Sequence, residues 1–238
     1  LLCDPPRAEK EGSKDFCSME TIISESDYIS LHVPLTRTGS LNTFHIADKD
    51  FFAKMKPDAF LINSSRGEVV DTEALKQALR SKQISGACLD VWENEPDIDL
   101  ELMKLLDIAS PHIAGYSTDG KANGTAMSVN AIVKFFGLSM EEWYPDFVPP
   151  PECPFIKLTG TSFEEQVASA VFQSYNPMRD DQRLRLNPGD FEKQRGDYPL
   201  RREFDSYTVV ANGHHYDPAV LEARSEEHTS ELQSRQVI

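Results

Sequence analysis

The sequence has neither a long apolar run nor cysteines at the spacing of a metal or redox site. No stretch approaches the roughly 20 apolar residues that a membrane span needs, so a membrane protein is not expected. The four cysteines show no CxxC pattern, and we therefore expect neither a bound metal nor a redox motif. Reduced thiols and the lack of a signal segment favour a cytoplasmic protein.

Positive charge is also scarce. Lysine and arginine number 24 against 39 acidic residues, which gives a net charge of −15. Nucleic acid is excluded as a partner, because binding to phosphates needs clustered basic side chains. The acidic residues are spread along the chain and indicate a solvated surface, while a hydrophobic content of 39% is enough for a folded core.

The first half alternates short apolar runs with stretches of helical periodicity. The runs lie at 1–3, 28–31, 59–62, 86–89 and 108–109, and the helical stretches at 18–25, 48–55, 71–82 and 99–106. This alternation predicts an α/β fold, a partial Rossmann-type parallel sheet with helices on both faces. Asp71 is expected to cap the helix over 71–82.

The second half has a different pattern. A helix is predicted over 118–137, with Thr118 as N-cap and Gly137 as the stop. Five prolines between 145 and 154 indicate a linker. Beyond them, a strand at 155–158, a helix at 163–175, a charged stretch at 178–203 and a strand at 207–211 predict a small α+β domain.

These patterns divide the chain into four parts. A nucleotide-binding domain is expected over 1–117, a helix and linker over 118–146, and a small α+β domain over 147–223. Residues 224–238 fit neither domain and are similar to a translated sequencing adapter. We therefore treat this tail as non-native, and His228 with it.

Polar clusters follow all five predicted strands. In parallel sheets the ligand binds at the carboxyl ends of the strands, so these clusters predict one site. Three of them contain motifs, Asn-x-x-Arg-Gly-x-x-Val-Asp at 63–71, Asp-Val-x-Glu-x-Glu-Pro at 90–96 and Pro-His-Ile-Ala-Gly at 111–115. In this order and at these spacings they resemble the D-isomer-specific 2-hydroxyacid dehydrogenases.

The resemblance narrows to one branch of that family. Residues 3–7, 112–116, 120–121 and 124–125 are similar to the branch that oxidises a small phosphorylated 2-hydroxy acid in vitamin B6 biosynthesis. Residues 178–181 and 188–191 resemble the C-terminal dimerisation domain of that branch. The likeness covers about 1–223 and implies a homodimer formed through 147–223.

The resemblance implies catalytic roles for three residues. His112 would be the general base that takes the hydroxyl proton, a task that suits imidazole near neutral pH. Glu95 would orient His112 and favour its protonated form. Arg66 would hold the substrate carboxylate with its forked donors, and Tyr116 matches a substrate-contacting position.

The same resemblance implies NAD as the cofactor. Asp4 would accept hydrogen bonds from the adenosine ribose, which favours NAD over NADP. A lone aspartate after a strand is more often a turn or cap residue, but the surrounding motifs favour the ribose contact here. Arg7, three residues on, could weaken that preference. The other family positions that contact the cofactor correspond to Val33, Ser64, Ser65, Arg66, Asp90 and Gly115.

Several nearby residues have plainer interpretations. Glu93 is a second candidate partner for His112, although the motif favours Glu95. His32 is expected to be structural, and His45, His214 and His215 are expected to be ordinary surface or loop residues. Trp92 is expected to pack in the interior.

A Gly-x-Gly-x-x-Gly turn, which cradles the pyrophosphate in this fold, does not occur in the sequence. Because the chain opens on an apparent strand end at Leu1, we expect it to be a truncated form that lacks this turn and the substrate domain. We therefore predict negligible NAD affinity for this polypeptide alone. Tight binding in a calorimetric titration would contradict that prediction.

Other functions compatible with the motifs are a phosphoglycerate or hydroxypyruvate dehydrogenase and a non-catalytic NAD-sensing interaction protein of the same fold. A fragment that serves only for dimerisation is a third. The region 155–223 distinguishes them, because it resembles neither a regulatory amino-acid-binding domain nor a corepressor.

Overall fold

The computed structural model describes residues 1–12, 15–140 and 142–210. The predictions for His214, His215, His228, the end of the last strand at Ala211 and the tail 224–238 lie outside these residues.

A four-stranded parallel sheet forms the centre of the first half. Its strands are β1 (Tyr28–Leu31), β2 (Phe60–Asn63), β3 (Gly86–Leu89) and β4 (Ile108–Ala109), and they lie side by side in that order. At their carboxyl ends Leu31, Asn63, Leu89 and Ala109 stand in one register row. The loops that follow the strands therefore leave the sheet at a common edge.

The helices of this half are α1 (Pro5–Glu11), α2 (Met19–Glu25), α3 (Lys49–Lys54), α4 (Thr72–Arg80) and α5 (Leu100–Leu105). Acidic or hydroxyl side chains cap their first turns, and Asp71 accepts from the Ala74 amide at 3.0 Å as predicted. Phe52 on α3 and Leu75 on α4 are buried with Leu61 of β2 in one core. Burial of these apolar side chains fixes the helices on the sheet.

The first residues differ from the prediction. Leu2 makes only an isolated parallel bridge with Phe16, so the regular strand expected over 1–3 is wrong. Helix α1, which was not predicted, begins at Pro5 directly after its cap Asp4. Proline is well suited to the first turn of a helix, because its missing amide would have no partner there.

The chain divides into two compact units. The first comprises Leu1–His112 and Met178–Gly196, and the second comprises Ile113–Pro177 and the stretch from Asp197. The second unit contains α6 (Thr118–Phe136), α7 (Phe163–Ser174), and a two-stranded parallel sheet of β5 (Phe155–Lys157) and β6 (Thr208–Val210). Gly137 ends α6 in the left-handed conformation as predicted, but the N-cap is Ser117 rather than Thr118.

The charged stretch at 178–203 folds into helices that the sequence did not predict. They are α8 (Pro177–Leu186), a 3-10 helix (Pro188–Asp190) and α9 (Phe191–Gly196). Leu184 and Phe191 are fully buried and belong to the core of the first unit. The compact units therefore differ from the predicted domains in the placement of residues 113–117 and 178–196.

The described residues contain neither a membrane-spanning helix nor a metal-binding cluster. None of their helices is both long and apolar enough to cross a bilayer. They also hold no group of three or more histidine, cysteine, aspartate or glutamate side chains that could bind a metal ion.

Candidate active site

A cleft of about 460 Å³ lies in the first unit, where the loops after β1, β2 and β3 meet the turn at His112. Arg66, Glu95 and His112, the three predicted catalytic residues, all line it. Its size is that of a small-molecule site. The structure thus brings together side chains from three separate segments of the chain.

Asn63, the last residue of β2, organises the turn that presents Arg66. Its side-chain amide donates to the Arg66 carbonyl at 2.9 Å, and its Oδ1 accepts from the amide and the hydroxyl of Ser65 at 3.0 and 2.8 Å. The residue is 1% exposed. A buried amide with these partners is satisfied and rigid, which fixes the path of the backbone into Arg66.

Gly67 allows a close approach of two loops. A Cβ atom at this position would lie 1.9 Å from the Trp92 carbonyl oxygen. Any side chain would therefore push the loop after β2 away from the loop that carries Glu95. This contact explains why glycine follows arginine in the first motif.

The Arg66 guanidinium is available to an anion. Its Nη1 donates to the Ser65 carbonyl at 2.6 Å, and no carboxylate of the described residues forms an ion pair with it. Arg37, the other arginine of the cleft, is paired with Glu68 at 3.2 Å. The side chain of Arg66 can therefore bind a carboxylate through two parallel hydrogen bonds.

Glu95 is the carboxylate that contacts His112. Its Oε2 lies 2.8 Å from His112 Nδ1, and its Oε1 accepts from the Trp92 amide at 2.9 Å. A hydrogen bond at Nδ1 leaves Nε2 of the imidazole for proton exchange with a ligand. The pair has the arrangement of a general base and the carboxylate that orients it.

The environment keeps Glu95 ionised. Burial raises the pKa of its carboxyl group, but the hydrogen bonds from His112 and the Trp92 amide, with the charge of Arg195, outweigh this effect and hold the pKa below its ordinary value. An ionised carboxylate at Nδ1 stabilises the positive charge that His112 gains when it takes a proton.

The backbone of His112 is held in an unusual conformation. Its φ is 57°, in the left-handed region that costs a non-glycine residue about 1–2 kcal/mol. The His112 amide donates to the Asp90 carbonyl at 2.6 Å, and the Asp90 carboxylate accepts from the Ser110 hydroxyl at 2.6 Å. These bonds tie the histidine turn to the end of β3.

A second histidine–glutamate pair lies beside the first. His45 Nε2 is 2.7 Å from Glu93 Oε1, while Glu93 Oε2 accepts from the Thr72 amide at 3.0 Å. His45 is a loop residue as predicted, but it is not an ordinary one, because it joins the loop before α3 to the rim of the cleft. Glu93 is thereby engaged away from His112.

The remaining predicted residues lie in different surroundings. Asp4 caps α1 by accepting from the Arg7 amide at 3.0 Å, as its plainer interpretation expected. The side chain of Val33 packs against the core, and that of Ser65 is bound to Asn63. Trp92 is 4% exposed and donates to the Ser110 carbonyl, which confirms that it is a packing residue.

His32, Gly115 and Tyr116 are described residues that do not line the cleft of the His112–Glu95 pair. His32 is exposed and its Nε2 contacts the Ser30 hydroxyl at 2.7 Å. Gly115 and Tyr116 belong to the second unit, where the Tyr116 ring lies edge-on to Tyr198 with 5.9 Å between centroids. Lys121 Nζ stands 4.4 Å from the centre of the Tyr116 ring.

Sequence reasoning gave no role of their own to Asn63 and Ser110, although both lie in the predicted clusters, and it did not pair His45 with Glu93. Asn63 could have been found, because it opens the first motif and ends a strand. His45 could not, since its partner lies 48 residues away and no local pattern connects the two.

Comparisons with known proteins agree with this geometry. Residues 2–114 match the family described as "D-isomer specific 2-hydroxyacid dehydrogenase, NAD binding domain", and residues 147–223 match a domain of unknown function. Among solved structures, a D-lactate dehydrogenase from Sporolactobacillus sp. matches with a TM-score of 0.46 and 34% identity, over 60% of this chain and 46% of that one. That score is too low to carry weight.

Curated relatives are more similar. An "Erythronate-4-phosphate dehydrogenase" from Bacteroides fragilis is 48% identical over 210 residues, 88% of this chain and 58% of its own length. Proteins of the same name from Porphyromonas gingivalis and Escherichia coli are 42% and 40% identical, over 88% and 89% of this chain and 57% of their own lengths. The chain thus spans less than two thirds of these relatives.

The match over residues 2–114 includes the four strands of the parallel sheet, the first two motifs, the third up to residue 114 and the His112–Glu95 pair, and the relatives agree over most of the chain. Over residues 2–114 the chain is similar to the NAD-binding domain of the D-isomer specific 2-hydroxyacid dehydrogenases.

Proposed function

We propose that this chain carries the proton-transfer and NAD-binding part of a dehydrogenase that oxidises 4-phospho-D-erythronate to 3-phosphonooxy-2-oxobutanoate in vitamin B6 biosynthesis. The observation that carries the proposal is the His112–Glu95 pair at 2.8 Å, in one cleft with the Arg66 guanidinium. The name shared by the curated relatives supports the substrate.

The residues present fit a nicotinamide cofactor. They lie at the carboxyl ends of parallel strands, where such sheets bind nucleotides. We assign cofactor contacts to Asp4, Val33, Ser64, Ser65, Arg66, Asp90 and Gly115. When bound, NAD supplies the acceptor for the hydride that leaves the substrate carbon.

The protein's own part in the reaction is binding and proton transfer. Arg66 holds the substrate carboxylate, which orients the carbinol carbon, and Tyr116 is assigned a further substrate contact. His112 Nε2 takes the hydroxyl proton as the C–O bond becomes a carbonyl. Glu95 remains ionised and balances the charge on the imidazolium, so that one proton and one hydride leave the alcohol.

A test of the substrate uses a polypeptide that spans the full length of the relatives. We define the completed chain as this chain joined to the part of the Bacteroides fragilis relative that lies outside the match. We expect it to reduce NAD with 4-phospho-D-erythronate at a kcat/KM roughly a hundredfold above that for D-3-phosphoglycerate or D-glycerate. Equal or faster turnover of either competitor, measured by the absorbance of the reduced cofactor, would overturn the substrate assignment.

We further propose a homodimer through the region 147–223. Phe155 on β5 is 62% exposed, and Phe172 on α7 is 52% exposed. Two-stranded sheets are marginal by themselves, and exposed aromatic residues beside one indicate a surface that a partner covers.

We predict that the chain sediments as a dimer at micromolar concentration, and that Phe155→Glu together with Phe172→Glu makes it a monomer. The matched control is Phe135→Glu with Phe136→Glu, a pair of exposed aromatic residues at the end of α6. A wild-type monomer, or a dimer that survives the first pair of substitutions, would contradict this interface.

The free thiols found at Cys3, Cys17, Cys88 and Cys153 are compatible with the cytoplasm, the location that we propose.

A further inference from the structure

Helix α8 lies within the region that matches a domain of unknown function, yet it packs in the first unit with the parallel sheet. Its Leu184 is fully buried, as is Phe191 at the start of α9. Both belong to the same apolar core as Leu89 of β3 and Leu102 of α5. Residues 178–196 are therefore a structural part of the unit that holds the cleft.

An aspartate of α8 completes the edge of the sheet. Strand β4 is an edge strand of the sheet. The amide of Ser110, the residue after β4, donates towards β3, to the Leu89 carbonyl at 3.0 Å. The preceding amide, that of Ala109, points the other way, because successive amides of a strand alternate in direction. Asp181 Oδ1 accepts from it at 2.8 Å.

This hydrogen bond gives the Ala109 amide the acceptor that a further strand of a sheet would provide. Ala109 is 0% exposed, so water does not reach its amide. A buried amide without a partner is costly, and a carboxylate is a stronger acceptor than a neutral carbonyl. Asp181 thus stabilises β4 in the register that leads into the histidine turn.

Arg185, one turn further along α8, extends the contact to the end of α5. Its Nε donates to both oxygens of Asp181 at 2.8 and 2.9 Å. Its Nη1 and Nη2 donate to the carbonyls of Met103 and Leu106 at 2.7 and 2.9 Å. These carbonyls are at the C-terminal end of α5, where helix carbonyls lack partners within the helix.

Ala109, whose amide is bound by Asp181, lies three residues before His112 in the sequence. On the inner side, this short segment is held by the bonds from Ser110 to Leu89 and from His112 to the Asp90 carbonyl. On the outer side, Asp181 holds it. We propose that Asp181 and Arg185 are positioning residues for His112: they fix the edge strand from which the histidine turn begins, and so keep the imidazole at Glu95.

The proposal gives residues 178–196 a role in the dehydrogenase site in addition to any role in dimer formation. It rests on the proposed function only in taking His112 as the general base.

The first test uses the chain as it exists, with amide hydrogen exchange and the NMR signal of the His112 Nδ1 proton that is bonded to Glu95. We expect Asp181→Ala to speed exchange at the Ala109 amide roughly tenfold or more. We also expect it to weaken or broaden the Nδ1 signal. Asp181→Asn keeps an oxygen acceptor for Ala109 and should show a smaller change in both.

A matched control separates positioning from general stability. Lys76→Met removes the buried ion pair with Asp99 that joins α4 to α5 without touching β4. We expect this variant to lower the melting temperature but to leave the Nδ1 signal of His112 unchanged. If Asp181→Ala does not fold, Arg185→Lys serves in its place, because lysine keeps the charge but cannot reach Asp181 and both carbonyls at once.

Wild-type exchange at Ala109 and an unchanged Nδ1 signal in the folded Asp181 or Arg185 variant would overturn the proposal. An equal change of the signal in Lys76→Met would do the same. Neither readout needs substrate or NAD. The two measurements therefore test the role of Asp181 and Arg185 even if the proposed reaction proves wrong. In the completed chain we expect Asp181→Ala to lower kcat roughly tenfold, with little change in the KM for NAD.

Discussion

Replacing His112 with alanine is expected to lower kcat of the completed chain by roughly 10³ to 10⁴ fold. His112 is the only histidine among the described residues that line the cleft. Its Nδ1 is hydrogen-bonded to the Glu95 carboxylate, and no described residue binds its Nε2. Without the imidazole the hydroxyl proton has no acceptor at the reacting centre. The affinity for NAD should stay nearly unchanged, since the substitution removes no assigned cofactor contact.

The matched control for this variant is His32→Ala. His32 follows β1, is exposed, and contacts only the Ser30 hydroxyl among the described residues. Its removal should leave kcat within a few-fold of wild type. Steady-state kinetics and a calorimetric titration with NAD check both expectations, and survival of turnover in His112→Ala within a few-fold would rule out the general-base role.

Replacing Arg66 with lysine is expected to lower kcat/KM for the hydroxy acid about a hundredfold, or roughly 3 kcal/mol of transition-state binding. The charge is kept, but the planar fork that binds a carboxylate through two hydrogen bonds is lost. Most of the loss should be in the KM for the hydroxy acid, because the carboxylate is bound before and during the reaction.

Arg37→Lys is the matched control, since Arg37 lines the same cleft but is already paired with Glu68. It should retain kcat/KM within a few-fold. An Arg66→Lys variant as active as Arg37→Lys would show that Arg66 does not bind the substrate carboxylate in a bidentate manner.

Local sequence patterns predicted most of the first unit well. The strands at 28–31, 86–89 and 108–109 have the predicted limits, and the cap at Asp71 was identified. A strand buried on both faces needs a continuous apolar run, and a helix start needs a side chain that accepts from its first turn. Both signals are confined to a few neighbouring residues, which is why a single sequence contains them.

The failures also have physical causes. Helix α8 carries Asp180 and Asp181 on its buried side, where an apolar stripe would be expected. Its charges are satisfied by Arg183, by Arg185 and by the backbone of β4 and α5. A buried helix whose charges are paired has the same charged composition as an exposed segment. Composition alone therefore does not distinguish the two.

The sequence by itself determined the four strands of the parallel sheet to within a residue and the motifs at their carboxyl ends, and the resemblance of those motifs indicated Arg66, Glu95 and His112 as the candidate site. Each of these depends on residue type and short spacing. Only the tertiary structure decided that Glu95 faces His112 while Glu93 faces His45, and that Asp181 closes the sheet at Ala109 across 72 residues of chain. These pairings join loops that meet only after the core has formed, because hydrogen bonds between distant residues follow from packing and not from local periodicity.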